Sequence, residues 1–318
     1  MADPPRSGKV LGRLLTPMIT PFDDELDIDF AGAIHLASAL VGEGADGMVL
    51  GDVTGEGPTL SDDERADLVR QVKRSVPDAA VVGSVPAEDT RRSIELAKRL
   101  AAAGADAVVS PVPAAVSQSG VAQHYEMLAR FAGVPVLMRN SRVRTGAAMS
   151  AGSVLVTINR PGMAGVWDGS GNLAQLSLLC GADSGASDSP RQVWAGDECL
   201  LLPALAVGAY GLVSLVSHLA PRAVRALIDD VLAGDLARAR ERHARLLPLS
   251  LALDSSMTNP APLKAALRWL GLPSGPHRPP VGFLPAVETD RVIGLVSEVR
   301  DLVTLAGAHQ PAQVVDGG

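Results

Sequence analysis

Met163-Ala164-Gly165-Val166-Trp167-Asp168-Gly169-Ser170-Gly171-Asn172 reads as a short buried strand, a tight glycine turn and the start of a helix. In a barrel of parallel strands, that turn lies at the mouth where chemistry is done. The residue at the strand's end, Trp167, therefore limits what the mouth can do. Outward from this stretch the same unit recurs. Gly44-Ala45-Asp46-Gly47-Met48-Val49 and Gly104-Ala105-Asp106-Ala107-Val108-Val109 are near copies. Gly133-Val134-Pro135-Val136, Gly162-Met163-Ala164-Gly165-Val166 and Gly208-Ala209-Tyr210-Gly211-Leu212-Val213 follow. Glycine suits a helix C′ position because it tolerates positive φ. The repeated unit is helix, glycine stop, buried strand.

This reading predicts strands near 12–19, 46–51, 79–84, 106–110, 134–139, 163–167, 191–195 and 210–215. The segments between them carry apolar residues at helical spacing. Ser61-Asp62-Asp63-Glu64 has the form of a capping box that opens the second helix. Eight strand–helix units predict an α/β fold, a (β/α)8 TIM barrel, over residues 11–233. No strand is followed by G-x-G-x-x-G, which argues against a dinucleotide-binding sheet. Residues 234–306 are patterned as helices alone and predict a C-terminal helical appendage. Residues 1–10 and 307–318 read as flexible tails.

Of 318 residues, 47% are hydrophobic but only 3% aromatic, so Ala, Leu and Val must fill the core. A net charge of -7 argues against a nucleic-acid partner. No apolar run reaches the roughly 18 residues that suggest a membrane span. Met1 to Lys9 lacks a hydrophobic signal region, and the two cysteines, Cys180 and Cys199, suit a reducing compartment. The expected location is the cytoplasm.

In order along the chain, several motifs resemble the dihydrodipicolinate synthase / N-acetylneuraminate lyase family. Thr16-Pro17-Met18-Ile19-Thr20-Pro21-Phe22 resembles its first strand. Asp52-Val53-Thr54-Gly55-Glu56 resembles its Gly-Thr-Thr-Gly-Glu loop. Arg139-Asn140, Arg144-Thr145-Gly146, Gly165-Val166-Trp167-Asp168-Gly169, Gly196-Asp197-Glu198 and Asn259-Pro260-Ala261-Pro262-Leu263-Lys264 match later landmarks. The likeness runs over residues 11–305 and implies the barrel fold, a keto-acid substrate and a homodimer or homotetramer.

The chemical positions depart from the pattern. The family forms an imine with a 2-oxo acid, usually pyruvate, through a lysine on the sixth strand; here that position is Trp167. Indole nitrogen donates a hydrogen bond but does not attack a carbonyl. The proton-shuttling tyrosine becomes Arg139, which stays protonated. The fourth-strand proline–tyrosine–tyrosine becomes Pro111-Val112-Pro113, and the first loop threonine becomes Val53. The four lysines, Lys9, Lys73, Lys98 and Lys264, fall in a tail, late in helices or in the appendage.

What remains predicts a binding site for a small anion, built from Thr54, Gly55, Glu56, Arg139, Asn140, Arg144 and Trp167. Loop N–H groups and an arginine fork both suit a carboxylate. Arg139, Arg142 and Arg144 either touch the ligand or pair with Asp168, Glu56 or Asp197. Trp167 either plugs the space of the lost lysine or forms an apolar wall. Asp168 is the candidate general base, with loop bracing as its alternative. The spacing of Asp52, Glu56, Asp168 and Asp197 carries no metal signature, so neither metal nor cofactor is expected. The sequence thus predicts a member that has lost imine-forming aldolase chemistry and binds an anion. Its alternatives are an enzyme working on a carbonyl or carboxylate without an imine, and an oligomeric scaffold with a filled pocket.

Overall fold

In a computed structural model, the described residues are 11–114, 116–141, 146–181, 192–253 and 259–305. Eight parallel strands close into a barrel in sequence order, each paired with the next and the eighth with the first. They are β1 (Leu14–Pro17), β2 (Gly47–Leu50), β3 (Ala80–Ser84) and β4 (Ala107–Pro111), then β5 (Val136–Asn140), β6 (Met163–Asp168), β7 (Gln192–Ala195) and β8 (Gly211–Val213). Every one overlaps its predicted span. The helices α1 (Phe30–Gly42), α2 (Asp62–Ser75), α3 (Thr90–Ala103) and α4 (Gln118–Phe131) alternate with the first strands. The helices α5 (Ala151–Ile158), α6 (Leu173–Gly181), α7 (Leu201–Ala206) and α8 (Pro221–Leu232) complete the ring.

Two local rules build this alternation. The glycines before the strands do reverse the chain: Gly44, Gly104, Gly133, Gly162 and Gly208 all have φ between 82° and 108°. A side chain there would meet the steric penalty of the left-handed region. Helix starts are capped by short polar side chains, with Asp29, Ser61, Asp89, Ser117 and Ser150 each accepting from a first-turn N–H. At Ser61 the capping box is reciprocal, because Glu64 Oε2 accepts from the Ser61 N–H at 2.8 Å.

Strand alternation sorts the core into two layers. Leu15, Val49, Val82, Val109, Leu137, Trp167, Trp194 and Val213 point into the barrel. Their neighbours Leu14, Met48, Val81, Val108, Met138, Val166 and Leu212 pack outward against the helices. Inside, Trp194 is fully buried and donates its indole N–H to Gly12 O at 2.9 Å. Beyond the ring, α9 (Leu236–Leu253), α10 (Ala261–Trp269) and α11 (Ala286–Glu298) form the C-terminal helices. Among the described residues, no helix is long and apolar enough to cross a membrane.

Lys73 lies in the last turn of α2. It reaches back to Asp106 Oδ2 at 2.8 Å and Ala79 O at 2.9 Å, tying α2 to the approach of two strands.

Candidate active site

Arg139 and Trp167 are register partners on β5 and β6. Both belong to the inward-facing set, so they meet at the barrel mouth. The Arg139 guanidinium lies 4.5 Å from the centroid of the Trp167 ring, and its Nη1 donates to Asp52 Oδ1 at 2.5 Å. All three residues are buried. The sequence offered Asp168, Glu56 or Asp197 as carboxylate partners for the arginines; the structure supplies Asp52. Arg142 and Arg144 lie outside the described residues.

A cavity of about 300 Å³ opens beside this pair. Its wall includes Thr54, Arg139, Trp167, Ser170, Gly196 and Glu198. A second cavity, of about 590 Å³, lies over the turns after β2, β3 and β4, and Arg139 borders both. The indole of Trp167 is accommodated because residue 196 is glycine: a Cβ there would stand 1.9 Å from Trp167 Nε1. Trp167 thus forms one wall and leaves the mouth open.

The turn after β2 carries Thr54, Gly55 and Glu56. The Glu56 N–H donates to Val53 O and the Gly57 N–H to Asp52 O, which closes the turn. Among the described residues, the N–H groups of Thr54 and Gly55 donate to no protein acceptor. Two adjacent free amides suit an anionic oxygen. Thr54 Oγ1 accepts from Asn259 Nδ2 at 3.1 Å, so its own proton is left to donate elsewhere. The half-buried Arg65 side chain holds the turn from beneath, donating to Gly51 O at 2.8 Å and to Gly57 O.

Glu56 faces away from the cavity. Its Oε1 lies 2.6 Å from Lys264 Nζ, and its Oε2 accepts from the Arg278 N–H at 2.9 Å. Burial works to raise the Glu56 carboxyl. The His277 ring, the Lys264 ammonium and the Arg278 N–H outweigh it and hold the group below its ordinary value. Burial pulls Lys264 down to about 8 despite the carboxylate beside it. Lys264 does not line the mouth cavity.

Asp168 braces the loop after β6. It accepts from Asn140 Nδ2 at 2.8 Å, Gln175 Nε2 at 3.0 Å and Ser170 Oγ at 2.6 Å. Asn140 also joins the segment before α5 through Met149 N at 2.7 Å. Asp197 caps the short turn that follows it by accepting from Cys199 N at 2.9 Å. These carboxylates do not gather. Among the described residues, no group of three or more His, Cys, Asp or Glu could hold a metal ion. Sequence reasoning gave Glu198 no role beyond its landmark. Its carboxylate accepts from Ser214 Oγ at 2.9 Å and from the Leu215 N–H, fixing the turn after β8 that walls the cavity.

Comparison with known proteins places this site in a family. A family model described as the dihydrodipicolinate synthetase family matches residues 10–298. A 4-hydroxy-tetrahydrodipicolinate synthase from Moorella thermoacetica is 37% identical over 292 residues, which is 90% of this chain and 98% of that protein. A second, from Streptomyces coelicolor, is 38% identical over 88% of this chain and 93% of that protein. Among solved structures, a Cyanidioschyzon merolae protein described as DHDPS with lysine bound superposes with a TM-score of 0.85. It is 31% identical and covers 91% of this chain and 98% of its own.

These relatives correct the functional expectation. The expectation of a protein that only binds an anion is overturned by relatives that carry the name 4-hydroxy-tetrahydrodipicolinate synthase. The scaffold reading also fails on geometry, because the cavity beside Trp167 is open. The chain belongs to the dihydrodipicolinate synthetase family.

Proposed function

We propose that this protein is an active synthase that condenses a small 2-oxo acid such as pyruvate at the barrel mouth. The observation that carries the reading is the extent of likeness to proteins named 4-hydroxy-tetrahydrodipicolinate synthase, at 37–39% identity over 85–90% of this chain. The open cavity supports it. The amide of Thr54, which lines the cavity, receives the substrate carboxylate. The Thr54 hydroxyl and the Arg139 guanidinium are donors placed to draw charge toward the carbonyl oxygen, where developing negative charge is stabilised best by fixed donors. Asp52 keeps the guanidinium in place, and the Trp167 ring covers its face.

The test is direct. The protein is supplied with pyruvate and L-aspartate 4-semialdehyde, the amino aldehyde whose carbons and nitrogen complete the product when water leaves, and 4-hydroxy-tetrahydrodipicolinate is followed by mass spectrometry. Product that depends on both substrates supports the reading, and its absence refutes it. Borohydride reduction of the same mixture then reports whether an amine of the chain is captured, since Trp167 itself supplies none. We further propose that the protein works as a homo-oligomer in the cytoplasm. A solved relative with 25% identity is described as a monomeric variant, so light scattering decides this point for the present chain.

A further inference from the structure

Lys264 is fully buried, yet it lies behind the mouth cavity. Its Nζ stands 2.6 Å from Glu56 Oε1, donates to Pro276 O at 2.8 Å and lies 4.5 Å from the centroid of the Phe22 ring. The Arg278 guanidinium lies over the same ring, also at 4.5 Å. Arg278 stitches three segments together: it donates to Leu26 O at 2.8 Å, Thr59 O at 3.1 Å and Glu64 Oε1 at 2.5 Å. The C-terminal region therefore grips the turn after β2 at several points.

The gripped residue is unusual. Glu56 has φ +52°, in the left-handed region that side chains rarely adopt. Such a backbone persists only where its surroundings hold it. Glu56 lies two residues from Thr54, which lines the cavity. A buried charge pair with Lys264 is a costly way to stabilise a fold, since apolar residues often do as well. It is an effective way to fix one geometry.

We propose that Lys264 is a positioning residue for the synthase site: by pairing with Glu56 it fixes the turn after β2 and so sets the Thr54 amide and hydroxyl at the cavity wall. The kinetic part rests on the proposed synthase activity, whereas the ordering of the turn does not. Lys264 makes no contact with substrate in this account. Its influence passes through Glu56 to Thr54.

The experiment compares the unaltered full chain with Lys264→Met, Thr54→Val and the double variant. Lys264→Met should lower kcat/KM by about tenfold, but by a clearly smaller factor when Thr54 is already Val, which keeps the amide and loses the hydroxyl, because residues acting through one another are not additive. Hydrogen exchange at the amides of 52–60 should rise by at least about tenfold in Lys264→Met, with α3 unchanged. Equal proportional losses in both backgrounds, or unchanged exchange at 52–60, would overturn the proposal. Should the unaltered chain form no product, the synthase reading fails, and exchange alone decides whether Lys264 orders the turn. Should Lys264→Met not fold, Glu56→Gln with Lys264→Met removes both charges, and the same exchange result is expected of it.

Discussion

The guanidinium of Arg139 is stacked on the Trp167 indole at 4.5 Å while its edge engages Asp52. This places a fixed positive charge where β5 and β6 meet at the mouth. Removing one member of a buried ion pair leaves the other charge without its counterpart, which costs about 3–5 kcal/mol. Arg139→Met should therefore lower the free energy of urea unfolding by about that amount. Arg139→Met combined with Asp52→Asn should recover more than half of the loss. A double variant as unstable as the two single losses summed would show that the pair is not coupled.

Gly196 leaves room for the indole, since its missing Cβ would lie 1.9 Å from Nε1. Gly196→Ala should force the Trp167 ring toward the cavity and destabilise the fold by about 1–3 kcal/mol, the usual cost of overpacking. The KM for the 2-oxo acid should rise more than kcat falls, because the ring would then occupy substrate space. An unchanged KM in a folded variant would place the substrate away from Trp167.

Two buried histidines set the acid limit of stability. His218 Nδ1–H donates to Leu215 O at 3.0 Å, and its Nε2 accepts from the Ile19 N–H at 3.2 Å, so both nitrogens are used by the neutral ring. His124 lies between Thr90 Oγ1 at 2.9 Å and Ser110 Oγ at 3.1 Å. Burial lowers each ring from 6.5 to about 4. Between these values the unfolded chain binds protons that the folded chain refuses. Stability is complete above pH 6.5 and falls as pH drops toward 4, by about 3 kcal/mol per histidine at the limit. Urea unfolding from pH 7 to pH 4.5 should show this fall, and His124→Gln should make it shallower. A stability that does not decline across that interval would contradict the assignment.

The barrel was legible because its signals are local. Glycine stops such as Gly104 and Gly162, the short apolar runs that follow them, and the Ser61–Glu64 box each act within a few residues. The mouth was legible only in part. Thr54, Arg139 and Trp167 do line one cavity, as the motif order suggested. Asp52 stands in the loop motif and among the acidic residues without a metal signature, but its pairing was not legible, because its partner Arg139 is 87 residues away and a carboxylate alone does not announce its counter-ion. Arg278 had no local signal either: its contact with Glu56 spans 222 residues. The motifs holding Glu56 and Lys264 were both noticed, but only folding brings them together. The reading of an anion-binding protein without aldolase chemistry rested on four departures, at Trp167, Arg139, Pro111-Val112-Pro113 and Val53, and the likeness to relatives named as synthases over 85–90% of the chain counts against it.

Turnover by the unaltered protein tests the central claim most directly. With pyruvate and L-aspartate 4-semialdehyde, steady formation of 4-hydroxy-tetrahydrodipicolinate is expected, reduced by about ten- to a hundredfold in Thr54→Val through loss of one positioned donor. No product under conditions in which the Moorella thermoacetica relative turns over would contradict it.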